Sequence, residues 1–136
     1  MGLGTEVQAE SLPVRREGAT LLLTEDDAIM RKLTRKMLDE HGYKVLEAID
    51  GEAALHVISQ NSTRIDLMLT DVVMKGMNGP ELVLRLMESH PGMKVVYMSG
   101  YTGELVAHQG LQSGIRLLEK PFTRAALLRI IDEALG

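Results

Sequence analysis

The stretch IDLMLTD at residues 65–71, followed by the loop VVMKGMNGP at residues 72–80, decides the fold of this chain. Its apolar part is short and hardly alternates with polar residues, which is typical of a strand covered on both faces of a parallel sheet. The run then ends in an acid, Asp71. A carboxylate at the end of a buried strand is costly unless it takes part in chemistry, so Asp71 is the first candidate site residue.

Similar apolar runs, separated by amphipathic stretches, lie on both sides of this segment. Strands are predicted at residues 20–24, 44–48, 65–70, 94–99 and 115–119. Helices are predicted at about 27–41, 51–60, from Pro80 to just before Pro91, 103–110 and 123–135. This alternation indicates an α/β fold, built from successive βαβ units around a parallel sheet.

Side-chain spacing and end signals support the first and last of these helices. The first contains Ile29, Leu33, Met37 and Leu38 at helical spacing, and Gly42 follows it as a stop signal. The last has Thr123 as its predicted N-cap. Its inward stripe is predicted to consist of Ala126, Leu127, Ile130, Ile131 and Ala134.

Composition limits the class of protein. With 136 residues, 45% of them hydrophobic, the chain is about one domain long and has enough apolar side chains for a single core. Residues 1–18 show no sustained period and are predicted to be a linker or flexible arm, with the domain at 19–136. A net charge of -4 with 3% aromatic residues argues against nucleic acid and anionic lipid as partners. Without cysteines, a spanning segment or a signal sequence, a cytoplasmic domain without membrane contact is expected.

Polar side chains stand at the ends of four predicted strands. Glu25 and Asp26 follow the first strand, Asp71 follows the third, Ser99 ends the fourth, and Lys120 follows the fifth. The carboxyl ends of parallel strands share one edge of a sheet, so these side chains are expected to form one site. Clustered carboxylates repel one another and require a cation, and oxygen ligands without a Cys or His cluster favour Mg²⁺ over zinc. The scattered histidines and the methionines are interpreted as ordinary surface or core residues.

A metal, a carboxylate, a hydroxyl and a lysine are the groups needed to transfer a phosphoryl group onto an aspartate. In this interpretation Asp71 is the nucleophile. The metal and the Lys120 ammonium neutralise the phosphoryl oxygens, and Ser99 donates a hydrogen bond to one of them.

Four segments then carry a family resemblance: LTEDD at 23–27, LTDVVM at 69–74, MSGY at 98–101 and EKPF at 119–122. In this order they resemble the signature segments of the response regulator receiver domain, over about residues 19–136. The segment YMSGYT at 97–102, taken with NGPEL at 78–82, is most similar to the receiver modules at the C-terminus of hybrid sensor histidine kinases.

The resemblance implies a flavodoxin-like (βα)5 three-layer sandwich, with a five-stranded parallel sheet of order 2-1-3-4-5. It implies a role in two-component or phosphorelay signalling, with a histidine kinase or a histidine phosphotransfer domain as the phosphoryl donor. It also implies that the domain catalyses its own Mg²⁺-dependent aspartyl phosphorylation and dephosphorylation. Signalling is then expected through the face of the fourth helix, fifth strand and fifth helix, which is also the candidate homodimer surface.

The resemblance assigns a role to each matching residue. Carried over to this sequence, the assignments are Glu25 and Asp26 as Mg²⁺ ligands, Asp71 as phosphoacceptor and metal ligand, Val73 as a metal ligand through its backbone carbonyl, Ser99 as the switch hydroxyl and Lys120 as the invariant lysine. The chain departs from the family pattern at Lys75, where proline is common, at Leu117, where the second switch residue is commonly aromatic, and at Thr24, commonly apolar.

Three other functions compete with this one. A small-molecule phosphatase or phosphotransferase would need a second acid two residues after the nucleophile, where the chain has Val73. A pseudo-receiver, a pure interaction module, would not need the acids, Ser99 or Lys120. A flavin carrier would need a phosphate-binding loop after the first strand, where residues 25–27 are acidic. A stand-alone regulator and a module of a hybrid kinase both remain open for the parent protein.

Overall fold

The structure, a computed structural model, describes residues 18–60, 64–100 and 116–136. Strands and helices follow one another along these residues much as predicted. The elements are β1 (Thr20–Thr24), α1 (Ala28–Glu40), β2 (Lys44–Ala48), α2 (Gly51–Ser59), β3 (Leu67–Asp71), α3 (Gly79–Met87), β4 (Lys94–Ser99), β5 (Arg116–Glu119) and α4 (Arg124–Leu135). The predicted arm at 1–18 lies outside the described residues except for Gly18, and the predicted helix at 103–110 lies wholly outside them.

The strands form one parallel sheet in the order β2-β1-β3-β4-β5, which confirms the predicted fold. Thr24 of β1 is in register with Thr70 of β3, and Asp71 is in register with Met98 of β4. The strand order reverses between β1 and β3, the position where ligands bind in open α/β sheets. The residues that follow Thr24 and Thr70 therefore stand side by side at this point of the edge.

Helices cover both faces of the sheet because the central strands are apolar on both sides. Leu21 and Leu23 of β1 belong to the core shared with α1 and α4. Leu22, between them, belongs to the core shared with α2 and α3. The three layers explain why these strands do not alternate between apolar and polar residues.

Helix α1 forms as predicted, but only part of its apolar set joins the core. Leu38 is buried and Met37 packs against the core, whereas Ile29 is 78% exposed and Leu33 is 50% exposed. The helix instead buries Thr34 with Leu38 against the sheet. Since successive helical residues are rotated by roughly 100°, a face centred on Thr34 leaves Leu33 on the helix flank.

Most element ends lie within two residues of the prediction, but α3 ends at Met87 rather than just before Pro91. β3 begins at Leu67 rather than residue 65 and includes Asp71, so the acid is part of the strand. Asp66 precedes the strand, and its Oδ2 accepts a hydrogen bond of 2.8 Å from the Thr20 amide. Thr123 is the N-cap of α4 as predicted, and its side chain accepts from the Ala126 amide. Among the described helices, none combines the length and the apolar character needed to cross a bilayer.

Candidate functional site

The strand-end side chains converge on one ion-paired centre. Lys120 Nζ lies 2.7 Å from Glu25 Oε1 and 2.7 Å from Asp71 Oδ1. One carboxylate oxygen from each of Glu25, Asp26 and Asp71 lies within 4.8 Å of the other two. Three strands therefore meet in this centre, because Glu25 follows β1, Asp71 ends β3 and Lys120 follows β5.

Ser99 stands beside this centre at the end of β4. It is buried, and its carbonyl accepts a hydrogen bond of 2.7 Å from the Lys120 amide. It is also in register with Glu119 of β5. The Ser99 carbonyl therefore fixes the backbone at Lys120. The role of the Ser99 side chain as the switch hydroxyl stays a prediction.

Glu25 is fully buried, and several groups fix it. Its Oε1 accepts from Lys120 Nζ at 2.7 Å, and its Oε2 accepts from the Asp27 amide at 3.0 Å. Its own amide donates to the Ala48 carbonyl of β2 at 3.2 Å. Asp27 is in turn the N-cap of α1, accepting from the Ile29 and Met30 amides. The acidic segment is thus the start of a helix as well as part of the site.

The two buried carboxyl groups differ in protonation. Burial raises the pKa of Asp71 to about 8, and the hydrogen bond and charge of Glu25 add to this effect against the opposing influence of Lys120. Burial also raises the pKa of Glu25, but hydrogen bonds from Asp71, Lys120 and the Asp27 amide outweigh it, and the net direction is downward. Without a metal, Asp71 therefore holds the proton and Glu25 carries the charge.

A divalent cation fits the donor set of this centre. The Lys120 ammonium forms an ion pair with Asp71 Oδ1, but within the described part of the chain no group hydrogen-bonds to this buried oxygen. Asp26, in contrast, is exposed. All the candidate side-chain ligands are oxygens, the donors that a hard ion such as Mg²⁺ prefers. Val73, two residues after Asp71, is exposed, and its carbonyl stays a predicted ligand.

The raised pKa of Asp71 predicts how the stability of the metal-free protein depends on pH. The unfolded chain loses this proton near pH 3.8, whereas the folded protein keeps it up to about pH 8. Between these values the folded state binds more protons, so its free energy of unfolding falls as pH rises, by at most about 1.4 kcal/mol per pH unit from this group. Glu25, with its lowered pKa, has the opposite effect only in more acidic solution.

Urea unfolding in EDTA across this pH range, for wild type and Asp71→Asn, measures the effect. Above the acidic range in which Glu25 titrates, the difference in unfolding free energy between the two proteins reports on Asp71, because the groups that do not contact Asp71 titrate alike in both. We expect the unfolding free energy of the wild type to fall relative to that of Asp71→Asn as pH rises. A difference that does not change with pH contradicts the protonation of Asp71.

The loop after Asp71 reveals a residue that sequence reasoning missed as part of the site. The Gly79 amide donates to the Val72 carbonyl at 2.8 Å, and the Val72 amide donates to the Met98 carbonyl at 3.0 Å. A Cβ atom at Gly79 would lie 2.3 Å from the Asp71 carbonyl oxygen. The sequence signal, Gly79 before Pro80, indicates only a helix start. The close approach to Asp71 is visible only in the folded chain.

The three residues that depart from the family pattern are an exposed loop residue and two residues packed in the sheet. Lys75 is exposed in the loop after Asp71. Leu117 is half-buried in β5 and packs against the core beneath α2 and α3. Thr24 is fully buried in β1, consistent with a core substitution, and its hydroxyl has no hydrogen-bond partner among the residues that the structure describes.

Comparison with known proteins places this geometry in a family. The family model described as "Response regulator receiver domain" matches residues 21–132. The chain is 34% identical over 118 residues to sensor kinase CckA of Brucella abortus, a match that covers 86% of this chain but spans only 12% of that relative's length. It is also 32% identical over 116 residues to the response regulator receiver protein CpdR of Brucella abortus, with 85% of this chain and 95% of that relative covered.

Solved structures agree with the sequence relatives. The crystal structure of the receiver domain from the hybrid histidine kinase CckA superposes with a TM-score of 0.69 at 31% identity, covering 87% of this chain and all of that one. The proteins similar to this chain thus include receiver domains of hybrid sensor kinases, as the sequence resemblance predicted. The chain belongs to the family of response regulator receiver domains, the receiving modules of two-component signalling.

Proposed function

We propose that Asp71 accepts a phosphoryl group from a histidine of a kinase or phosphotransfer protein, with Mg²⁺ held by Glu25, Asp26, Asp71 and the Val73 carbonyl. The observation that supports this most is the Lys120 ammonium, 2.7 Å from both Glu25 Oε1 and Asp71 Oδ1. Such a cation stands where the charge of an incoming phosphoryl group would need to be neutralised.

The chain's own groups can carry the transfer step. A bond forms between an Asp71 carboxylate oxygen and phosphorus while the phosphorus–nitrogen bond of the donor histidine breaks, and the electron pair of that bond returns to the histidine nitrogen. Asp71 must be ionised for this step, and its proton leaves as the site binds its cation. When bound, Mg²⁺ supplies positive charge to the phosphoryl oxygens. Lys120 then pairs with the new phosphoryl group, and Ser99 hydrogen-bonds to it.

Burial of Asp71 serves this chemistry in two ways. Asp71 is only 4% exposed, so water has limited access to the phosphoryl linkage from the protein side. Asp26, the exposed acid of the cluster, marks the side from which a donor reaches the site. Phosphorylation and dephosphorylation at one aspartate are the activity proposed for residues 19–136, with residues 1–18 as a linker or arm.

The test is labelling of the purified chain by acetyl phosphate, read by intact-protein mass spectrometry. With MgCl2 we expect the addition of one phosphoryl group, and with EDTA we expect none, because without a cation Asp71 keeps its proton and is a poor nucleophile. A chain that binds no Mg²⁺ in calorimetry would support the pseudo-receiver instead. Continuous hydrolysis of phosphate esters without a labelled protein would support the small-molecule phosphatase.

The same labelled sample also tests the switch. We propose that phosphorylation moves Ser99 and changes the exposure of Leu117, which is in register with Tyr97 of β4. The resulting change at β5 and α4 would alter the partner-binding or dimer face. Amide hydrogen exchange over 116–119 should differ between labelled and unlabelled protein, and identical exchange contradicts this part of the proposal.

A further inference from the structure

Asp26 is the acid of the cluster whose side chain is held by no other group among the described residues. Glu25 and Asp71 are buried and contact Lys120, whereas Asp26 is exposed. No hydrogen bond or ion pair within residues 18–60, 64–100 and 116–136 reaches its carboxylate. Its position relative to the other two acids therefore depends on the backbone to either side of it.

Hydrogen bonds hold both peptide groups that flank Asp26. In the peptide before it, the Glu25 carbonyl oxygen accepts from Arg31 Nη1 at 2.8 Å. In the peptide after it, the Asp27 amide donates to Glu25 Oε2 at 3.0 Å. Because a peptide group is planar, holding the Glu25 oxygen also holds the amide nitrogen and Cα of Asp26. The first of these two contacts depends on Arg31 alone.

Arg31 is itself held in place. Its side chain is only 17% exposed, and its Nε lies 3.1 Å from Glu47 Oε1. Glu47 belongs to β2, and it also forms an ion pair with Arg35, one turn further along α1. The hydrogen bond from Arg35 is the largest influence on the pKa of Glu47, which is lowered, so Glu47 stays ionised near neutral pH. The planar guanidinium of Arg31, on α1, thus contacts both Glu47 of β2 and the Glu25 carbonyl.

We infer that Arg31 is a positioning residue for the metal site, holding the Glu25–Asp26 peptide so that the Asp26 carboxylate faces Glu25 and Asp71. This inference rests on the proposed Mg²⁺ site. It predicts that removing Arg31 weakens Mg²⁺ binding, which is the opposite of what the charge of Arg31 alone would cause. A nearby guanidinium repels a cation, so its charge alone would weaken metal binding, and removing it would tighten binding. Loss of positioning would weaken binding in spite of the lost positive charge.

Arg35 provides a matched control. It lies on the same helix and pairs with the same Glu47, but no hydrogen bond joins it to Glu25 within the described part of the chain. Arg31→Met and Arg35→Met both remove one positive charge and one Glu47 contact. Only Arg31→Met also releases the Glu25 carbonyl. Arg31→Lys keeps the charge but lacks the forked donor needed to reach both partners.

The experiment is a MgCl2 titration of wild type and the three variants by calorimetry. We expect Arg31→Met to bind Mg²⁺ about tenfold more weakly than wild type, as for other groups that orient metal ligands. Arg31→Lys should also bind more weakly, and Arg35→Met should bind as wild type does. In EDTA, the Asp27 amide should exchange its hydrogen faster in Arg31→Met than in Arg35→Met. This exchange rate measures how firmly the backbone around Asp26 is held when no metal is bound.

The outcomes separate this inference from the function on which it rests. A wild type that binds no Mg²⁺ overturns the proposed function itself. A wild type that binds Mg²⁺ while Arg31→Met binds it equally or more tightly overturns only the positioning role. Equal weakening in Arg31→Met and Arg35→Met overturns it too, because the cause is then the Glu47 network rather than the Glu25 carbonyl. If Arg31→Met does not fold, Arg31→Lys decides the result.

Discussion

Asp71→Asn protein should take up no phosphoryl group from acetyl phosphate in the presence of MgCl2, under conditions that label wild type. An amide oxygen is a far weaker nucleophile than a carboxylate, so the substitution removes the reacting group while keeping its shape. The fold should survive, because Asp71 is largely protonated without metal and asparagine is also neutral. Intact-protein mass spectrometry over a time course measures the loss.

Asp50→Asn is the matched control for this prediction. Asp50 is the N-cap of α2, where its side chain accepts from the Ala53 amide, and asparagine caps helices about as well as aspartate. The control should therefore be labelled at the wild-type rate. Undiminished labelling of Asp71→Asn would place the phosphoryl group on another residue and remove the main support for the proposed function. Loss of labelling in both variants would point to a general effect of removing an acid.

Gly79→Ala should have the second largest effect, on both stability and labelling. Its new Cβ would lie 2.3 Å from the Asp71 carbonyl oxygen. The end of β3 and the start of α3 must therefore move away from each other. Forcing an extra carbon into a close-packed position costs roughly 1–3 kcal/mol of unfolding free energy. A shift of the Asp71 backbone by even part of an ångström also misplaces the nucleophile, and we expect labelling to slow by about 100-fold. Urea unfolding and the labelling time course measure the two effects.

Gly92→Ala serves as the control, because apart from its chain neighbours no atom of the described residues lies within 4 Å of a Cβ built at Gly92. Alanine there should leave labelling unchanged, with the unfolding free energy equal to that of wild type or slightly higher. Gly79→Ala protein that is labelled at the wild-type rate would show that the loop adjusts without moving Asp71. Gly79 would then be needed for the helix start alone.

The sequence predicts the architecture well because the strands are locally unambiguous. Runs such as 20–24 and 94–99 are apolar with little alternation, and all the strands form within one or two residues of their predicted bounds. End signals are equally local, as the cap at Thr123 shows. The exception is α1, in which Ile29 has the spacing of a core residue but is 78% exposed. Helical spacing identifies a helix, whereas the face it buries depends on how the helix lies on the sheet.

The sequence also predicts which residues meet. Glu25, Asp71 and Lys120 are far apart in the chain, yet all stand at strand ends, and parallel strands bring those ends to one edge. Strand order brings the three side chains together but does not fix the distances between them or their protonation. Lys120 could lie near one acid or both, and the sequence does not say which acid holds a proton. The structure places the Lys120 ammonium between the two acids, and burial raises the pKa of Asp71 to about 8.

What the sequence determined by itself is therefore the fold, the family and the set of strand-end residues, since each follows from local patterns and the geometry of parallel strands. Only the tertiary structure decided the parts that depend on contacts between distant segments. The close approach of Gly79 to the Asp71 carbonyl and the hydrogen bond from Arg31 to the Glu25 carbonyl are of this kind. Both involve backbone atoms, which are the same in every residue, so no pattern of side chains in the sequence can reveal them.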